Sequence, residues 1–283
     1  MKIGITGCKG FIGGSVAHYL ITQGHDIISL DNQINMYGKD STEQNEFLNG
    51  LNWVIHFAAK TSIPNSFADP VNTYYNNIGS TLKAIKIAYK FGAAFIYMSS
   101  YVYGKPNYLP INEKHPLAAF NPYTETKIIC EEICRNMMNI IPIVILRGFN
   151  IYGDCYIPGR LIPDILECVR KGNPIEINDP YPKRDYLYIR DFQRLISSII
   201  SENPVATGIF NVGYGFSYSN LEVAEMICVL LQEKRNIIIK SQPRRNDILE
   251  CFADISLIKK TFSWKPTVSL EMGLRELIEK EKA

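Results

Sequence analysis

Apolar residues in the first half of the chain fall into short continuous runs, separated by segments with helical spacing. The runs are Lys2-Ile3-Gly4-Ile5-Thr6, Asp26 to Leu30, Val54 to Ala59, Ala94 to Met98 and Ile143 to Leu146. Between them, Val16, Ala17, Leu20 and Ile21 recur at helical intervals up to Gly24, and Ser80 to Tyr89 has helical character. Continuous apolar runs, rather than alternating ones, predict strands buried on both faces, and their alternation with helices predicts an α/β fold with a doubly wound parallel sheet. From about residue 153 the rhythm loosens: Pro158, Pro163, Pro174, Pro180 and Pro182 punctuate helices expected near 161–171, 191–202 and 219–233. The expectation is a first domain over 1–152 and a smaller C-terminal α/β lobe over 153–283 that completes a cleft, with some of its segments returning to the first domain.

Composition narrows the classes. At 283 residues the chain has ample material for a core, and 46% apolar with 20% charged residues is ordinary for a globular protein. Thirty Lys and Arg against 28 Asp and Glu leave +2, which gives no electrostatic case for nucleic acid or an acidic membrane surface. No leader-like segment precedes the first strand and no apolar run approaches membrane-spanning length, so a cytoplasmic location is expected. Seven scattered cysteines without a C-x-x-C pair argue against a disulfide framework and give a metal site no support.

The chemistry begins at Gly7-Cys8-Lys9-Gly10-Phe11-Ile12-Gly13, between the first strand and the first helix. Small residues there permit a tight turn and close approach of backbone to a pyrophosphate, which the helix N-terminus then faces. This is the place a Rossmann-type dinucleotide fold needs such a turn, and Gly7, Gly10, Phe11, Ile12 and Gly13 are cofactor candidates. Asp31 ends the second strand; a carboxylate there can accept both hydroxyls of an adenine ribose and would repel a 2′-phosphate, so NAD is expected over NADP. Tyr123 and Lys127 stand four apart on a helix, one turn from each other on one face. A lysine ammonium in that place favours the phenolate and lowers its pKa from about 10. Upstream, a strand ends Met98-Ser99-Ser100, and a serine hydroxyl can bond the same substrate oxygen. Three such groups can exchange a proton with a carbinol while a dinucleotide handles the hydride.

With these motifs in place the chain resembles the extended short-chain dehydrogenase/reductase family, in its nucleotide-sugar branch. The resemblance also rests on Asp31-Asn32 with Asn35, Asn76-Asn77-Ile78, Tyr101-Val102-Tyr103-Gly104, Leu146 to Asn150, Arg184-Asp185-Tyr186, Asn211-Val212-Gly213, Arg244 to Asp247 and Trp264-Lys265-Pro266. It implies Ser99 as the catalytic hydroxyl beside Tyr123 and Lys127, with Ser100 the alternative. It implies that Asn32, Asn35, Asp40, Ser41, Phe57, Ala58, Ala59 and Lys60 line the cofactor and that Asn77 steadies the active-site helix. Ser99, Ser100, Tyr123, Asn150, Arg184 and Arg244 are implied to bind a nucleoside-diphosphate sugar. Two guanidinium groups suit pyrophosphate oxygens better than the alternative for each arginine, a surface ion pair.

The residues after Ser99 weigh against dehydration and decarboxylation. Ser100 and Tyr101 stand where the family's dehydratases carry an Asp-Glu pair and its decarboxylases a glutamate. The reading that follows is epimerisation at C4 through a transient 4-keto sugar, with an NAD(P)H-dependent 4-ketoreductase as the alternative and a non-catalytic NAD-binding protein as a third class. His56, at the end of a buried strand, is read as structural. The family also implies a homodimer through the helices around Leu82, Ile85, Ile87 and Ala88 and around Ile128, Ile129, Ile133 and Met137.

Overall fold

The computed structural model describes residues 1–31, 46–155, 158–202, 205–232, 236–240 and 248–282. The first unit runs β1 (Lys2–Thr6), α1 (Phe11–Thr22), β2 (Asp26–Ser29), β3 (Trp53–His56), α2 (Ile63–Ala68), α3 (Pro70–Phe91), β4 (Ala94–Ser100), α4 (Pro122–Met137) and β5 (Ile143–Gly148). There follow β6 (Asn150–Tyr152), α5 (Leu161–Arg170), β7 (Ile175–Ile177), β8 (Lys183–Tyr188), α6 (Ile189–Ser201), β9 (Gly208–Val212) and β10 (Ser217–Ser219). The chain closes with α7 (Asn220–Leu231), β11 (Ile237–Ile239), β12 (Glu250–Cys251), α8 (Ser256–Phe262) and α9 (Leu270–Lys282).

Six strands form one parallel sheet in the order β2-β1-β3-β4-β5-β9, the doubly wound architecture that the apolar runs predict. The winding reverses between β1 and β3, and the crevice outside the carboxyl ends of strands at such a reversal is where open α/β sheets bind ligands. One core cluster packs Ile3, Ile5, Ile96 and Leu146 against α1, α6 and the later lobe; another packs Phe95, Tyr97, Ile143 and Ile145 under α3 and α4. α3 is longer than its periodicity alone predicts. Asp69 caps it by accepting from Asn72 N at 3.1 Å, Pro70 sits in its first turn, and Gly92 ends it in the left-handed region at φ 65.

At Phe149 the chain leaves the first sheet and begins a second, in which β8 pairs with β6 and β12 in parallel and with β10 antiparallel. These strands have two to six residues each, too short for a clear sequence period, which is why only the loosened rhythm was visible in the sequence. β9 returns to the edge of the first sheet beside β5.

Asp191 on α6 ties this region together. It is fully buried, and its Oδ2 accepts the backbone N–H groups of Thr267 and Val268 at 2.9 Å each. Its own carbonyl accepts from Trp264 Nε1 at 3.0 Å. Replacing Asp191 by Ala leaves two backbone donors without their acceptor, the bond of Val268 buried and that of Thr267 part-buried, so Asp191→Ala is expected to cost about 2–4 kcal/mol of unfolding free energy. Urea denaturation measures it; a loss below about 0.5 kcal/mol, the size of a neutral surface change, would contradict the clamp.

Candidate active site

The glycine turn comes first. Gly7 has φ +79, and a Cβ there would lie 2.9 Å from Ala58 N. A Cβ on Gly13 would lie 2.2 Å from the carbonyl oxygen of Gly7, so the helix can approach the turn only with glycine there. Gly10 N donates to Gly7 O at 2.9 Å, closing the turn. Gly10 caps α1 without a side-chain hydrogen bond, and no acidic residue stands in the first turn. The helix thus offers uncapped backbone N–H groups and the positive end of its dipole to an anion. Asp31, buried at the end of the neighbouring strand, accepts from Gly7 N at 2.5 Å, fixing its carboxylate beside the turn. A steric cradle, an uncapped helix end and a carboxylate within one hydrogen bond of the turn fit a dinucleotide with an unsubstituted adenine ribose. Phe11 and Ile12 open α1 and pack against the core. The candidates Asn32, Asn35, Asp40 and Ser41 lie outside the described residues.

The loop after β3 forms the next wall. Phe57 packs edge-on against Phe192 with ring centroids 6.0 Å apart. Ala58 N donates to Thr6 Oγ1 at 3.1 Å. Lys60 is held through its backbone: its N–H donates to Asn77 Oδ1 at 2.7 Å and its carbonyl accepts from Asn77 Nδ2 at 3.2 Å. Asn77 Nδ2 also donates to Thr126 Oγ1 at 2.9 Å, and Thr126 Oγ1 donates to the carbonyl of Tyr123 at 2.7 Å. One buried amide therefore fastens the cofactor-side loop to the helix that carries Tyr123.

α4 begins with a reciprocal cap. Asn121 Oδ1 accepts from Thr124 N at 2.8 Å, Asn121 N donates to Thr124 Oγ1 at 3.2 Å, and Pro122 occupies the first turn. Tyr123 is partly buried at this start, and Lys127 is buried one turn on. Lys127 Nζ donates to Met98 O at 2.7 Å and lies 6.0 Å from the centroid of the Tyr123 ring. Burial pushes the Tyr123 phenol above its ordinary value, while a hydrogen bond from Ser100 and the cation of Arg160 pull it back. The expectation that Lys127 by itself depresses the Tyr123 pKa therefore needs correction: in this arrangement desolvation dominates, and Ser100 and Arg160 supply the opposition. Arg160 stands at the start of α5, and nothing in its surroundings in the sequence pointed to the site.

The serines divide by the pleat. Successive side chains on a strand point to opposite faces, and Ser99 points toward α4, where its Oγ donates to Glu131 Oε1 at 2.5 Å. Ser100, on the other face at the strand's end, reaches Tyr123. The choice of Ser99 as the hydroxyl beside Tyr123 disagrees with this placement; the structure brings the alternative, Ser100, to the phenol.

On the substrate side, Asn150 Nδ2 donates to Asp185 O at 3.1 Å, and Arg184 Nη1 donates to Ile248 O at 2.6 Å and Lys183 O at 2.9 Å. Both residues lie in the second sheet, on β6 and β8, and Arg244 is outside the described residues. Beside Arg184 the sequence reading missed Asp185. It is fully buried, and its carboxylate accepts backbone N–H groups from Tyr214, Gly215 and Ala253 at 2.7, 3.0 and 3.1 Å. Burial pushes its pKa up to about 6 against the pull of those bonds. Among the described residues, no group of His, Cys, Asp and Glu is placed to hold a metal ion, and no helix is long and apolar enough to cross a membrane.

His56 is the buried hinge of this architecture. Its Nδ1 lies 2.8 Å from Thr6 Oγ1 and its Nε2 lies 3.1 Å from Thr81 Oγ1. Burial, then the charge of Lys127, pushes its imidazolium down to about 3 from 6.5. The native state thus refuses a proton that the unfolded chain accepts. Stability from this group is complete above pH 6.5 and is lost as pH falls toward about 3, by up to about 1.4 kcal/mol per pH unit. His56→Asn should flatten that acid slope while lowering stability at neutral pH. Denaturation of both proteins across this window checks it, and superimposable slopes would refute it.

Residues 3–213 match the model of the NAD dependent epimerase/dehydratase family. The UDP-glucose 4-epimerase of Bacillus subtilis is 30% identical over an alignment covering 96% of this chain and 94% of the relative. The crystal structure of UDP-glucose 4-epimerase from Thermotoga maritima with UDP-glucose superposes with a TM-score of 0.87 at 25% identity, covering 100% of both chains. That of the Bifidobacterium longum enzyme in complex with NAD+ and UDP gives 0.84 at 26% identity, over 100% of this chain and 98% of the other. With a family match across most of its length and a 30% identical relative aligned over 96% of it, this chain belongs to the NAD dependent epimerase/dehydratase family.

Proposed function

We propose that this protein is an NAD-dependent epimerase acting at C4 of a nucleoside-diphosphate hexose, with UDP as the nucleotide. The observation that carries the reading is the convergence of Tyr123, Lys127 and Ser100 at the carboxyl ends of the strands, in one frame with the glycine turn and Asp31. The relatives named above are UDP-glucose 4-epimerases, which supports both the reaction and the uridine nucleotide.

Gly7, Gly10 and Gly13 with the N-terminus of α1 would hold the pyrophosphate of NAD, and Asp31 the hydroxyls of its adenine ribose. Bound there, NAD supplies a reversible acceptor for the C4 hydride. Tyr123, as phenolate, takes the O4 proton while the Ser100 hydroxyl bonds the same oxygen. Lys127, as ammonium 6.0 Å from the Tyr123 ring centroid, sets positive charge beside the site where that proton moves. The 4-keto sugar then turns about its linkage to the diphosphate, which Arg184, Arg244 and Asn150 hold, and Tyr123 returns the proton once C4 has been reduced on the opposite face. Tyr101 is stacked on Phe149 with ring centroids 5.4 Å apart, so no carboxylate follows the serine pair to support a dehydration.

Incubation with UDP-glucose should give the C4 epimer without added reductant. Tyr123→Phe should cut turnover by about three orders of magnitude or more with NAD affinity retained, and Ser100→Ala by about one to two orders, the value of one strong transition-state hydrogen bond. A Ser99→Ala loss larger than that of Ser100→Ala would return the role to Ser99. Turnover that requires stoichiometric NADH or NADPH would favour the 4-ketoreductase.

The same reading includes a homodimer in the cytoplasm. Ile85, Ile87 and Ala88 are buried within the protomer, whereas Leu82 on α3 and Ile129 on α4 are exposed and Tyr75 lies 56% exposed near them. Seven free cysteines suit a reducing compartment. Light scattering at micromolar concentration should give twice the chain mass, and Leu82→Glu should halve it. A single-chain mass for the unaltered protein would overturn the dimer.

A further inference from the structure

The catalytic helix carries a buried carboxylate that the reaction above does not use. Tyr123, Lys127 and Glu131 follow at four-residue intervals along α4 and line one face of it. Arg147 on β5 donates from Nε to both oxygens of Glu131 at 3.0 Å and from Nη2 to Oε2 at 2.6 Å. Ser99 Oγ donates to Oε1 at 2.5 Å. The arginine is secured in turn: its Nη1 donates to Tyr103 OH at 3.0 Å and Glu113 O at 3.2 Å, and Tyr103 OH donates to Asn211 Oδ1 at 2.5 Å. Both partners of the pair are only 2% exposed in their side chains.

Taking two ions out of water costs several kcal/mol each, and a well-packed apolar pair often stabilises a fold as well or better. What an apolar pair would not provide is a fixed anion one helical turn behind Lys127. We propose that Glu131, held by Arg147 and Ser99, is a positioning residue for the reaction, keeping Lys127 charged where Tyr123 does its work. The catalytic consequence rests on the epimerase reading; the effect on Lys127 does not.

The surroundings of Lys127 single out this carboxylate. Its Nζ donates to Met98 O and lies 5.0 Å from the centroid of the Tyr97 ring on β4. Tyr123, Cys130, Glu131 and Cys134 face it from its own helix, His56 from β3, and Arg147 from β5 stands behind Glu131. α2 has no ionisable side chain, and none of Tyr74, Tyr75, Lys83, Lys86, Tyr89 and Lys90 on α3 shifts Lys127. Of these groups, Cys130 and Cys134 are free thiols and burial pushes Cys134 upward; burial likewise holds the Tyr97 phenol protonated and His56 neutral. Glu131 is the carboxylate among them, one helical turn from Lys127. Burial pushes Lys127 down from 10.5 to about 8, and Cys130, then Glu131 and Cys134, oppose that push. Above this pH the ammonium is lost from the site, so removing the carboxylate moves the loss to lower pH.

The test is a lysine-selective NMR titration, with Lys127 assigned through Lys127→Met, on the natural chain, Glu131→Gln and the double variant Glu131→Gln/Arg147→Met. The double variant leaves no unpaired buried ion. In it the Lys127 midpoint should fall by about one pH unit, and the alkaline limb of kcat should move with it while KM stays near its original value. An unchanged midpoint in a folded double variant would overturn the inference, because a purely structural pair replaced by a neutral pair leaves Lys127 as it was. The titration needs no substrate, so a lowered midpoint in a chain that fails to epimerise would uphold the role of Glu131 and reject the epimerase reading alone.

Discussion

The pairing of β4 with β5 is the constraint on which the site depends. The strands run parallel with Ser99 opposite Arg147 and Ser100 opposite Gly148. Register assigns faces: Ser99 and Arg147 turn together toward α4 and meet Glu131, while Ser100 and Gly148 turn to the other side. A one-residue slip would exchange every side chain between the faces, placing a guanidinium where the phenol is met. The buried ion pair thus does for the strands what it does for the helix, giving a mostly aliphatic sheet one arrangement in which charged groups find partners.

The second lobe is joined to the first by buried carboxylates whose bonds are mostly to backbone. Asp185 draws in the turn after β9 and the segment after β12, and Asp191 draws in the approach to α9. A carboxylate can accept several N–H groups at once, so each gathers stretches of chain that have no strand or helix partners to satisfy them. Gly213 permits this closeness, because a Cβ there would lie 2.4 Å from Asp185 Oδ2. These polar points add to the apolar cluster that runs from the first sheet and α1 into the later lobe. This suits a pocket that must hold a nucleotide firmly and leave room for a sugar to turn.

How much of this could be read in the sequence follows from the distance over which each feature is encoded. The glycine turn, Asp31 and the Tyr123–Lys127 spacing are local, and each has a physical reason that survives without knowing the fold. The parallel sheet was legible because strands buried on both faces need continuous apolar runs. Ser99 and Ser100 were not separable by counting from Val102, since the pleat, not the motif, decides which hydroxyl meets the phenol. Glu131 and Arg160 were invisible, and Asp185 stood only as a motif residue without a role, for a related reason: their partners lie 16 or more positions away, on elements whose pairing no periodicity announces. The short strands of the second sheet were missed because two to six residues carry too little period.

The polar chain through His56 shows how cofactor and catalytic helix are given a common frame. Thr81 Oγ1 donates to Asn77 O at 2.8 Å, so toward His56 it must accept, which puts the imidazole proton on Nε2. Nδ1 is then an acceptor, and Thr6 donates to it while accepting from Ala58 N. Direction is settled along the whole path, from Ala58 through Thr6, His56 and Thr81 to the backbone of Asn77. From the Asn77 side chain it continues to Lys60 and, through Thr126, to Tyr123. A protonated His56 would present a second donor to Thr6, whose hydroxyl proton would have to turn elsewhere while Ala58 N still donates to the same oxygen. The neutral state of the imidazole is therefore built into the hydrogen-bond directions as well as into its burial. The loop that would border the nicotinamide and the tyrosine that exchanges the proton are held by the same set of bonds. Movement of one requires breaking a bond that positions the other.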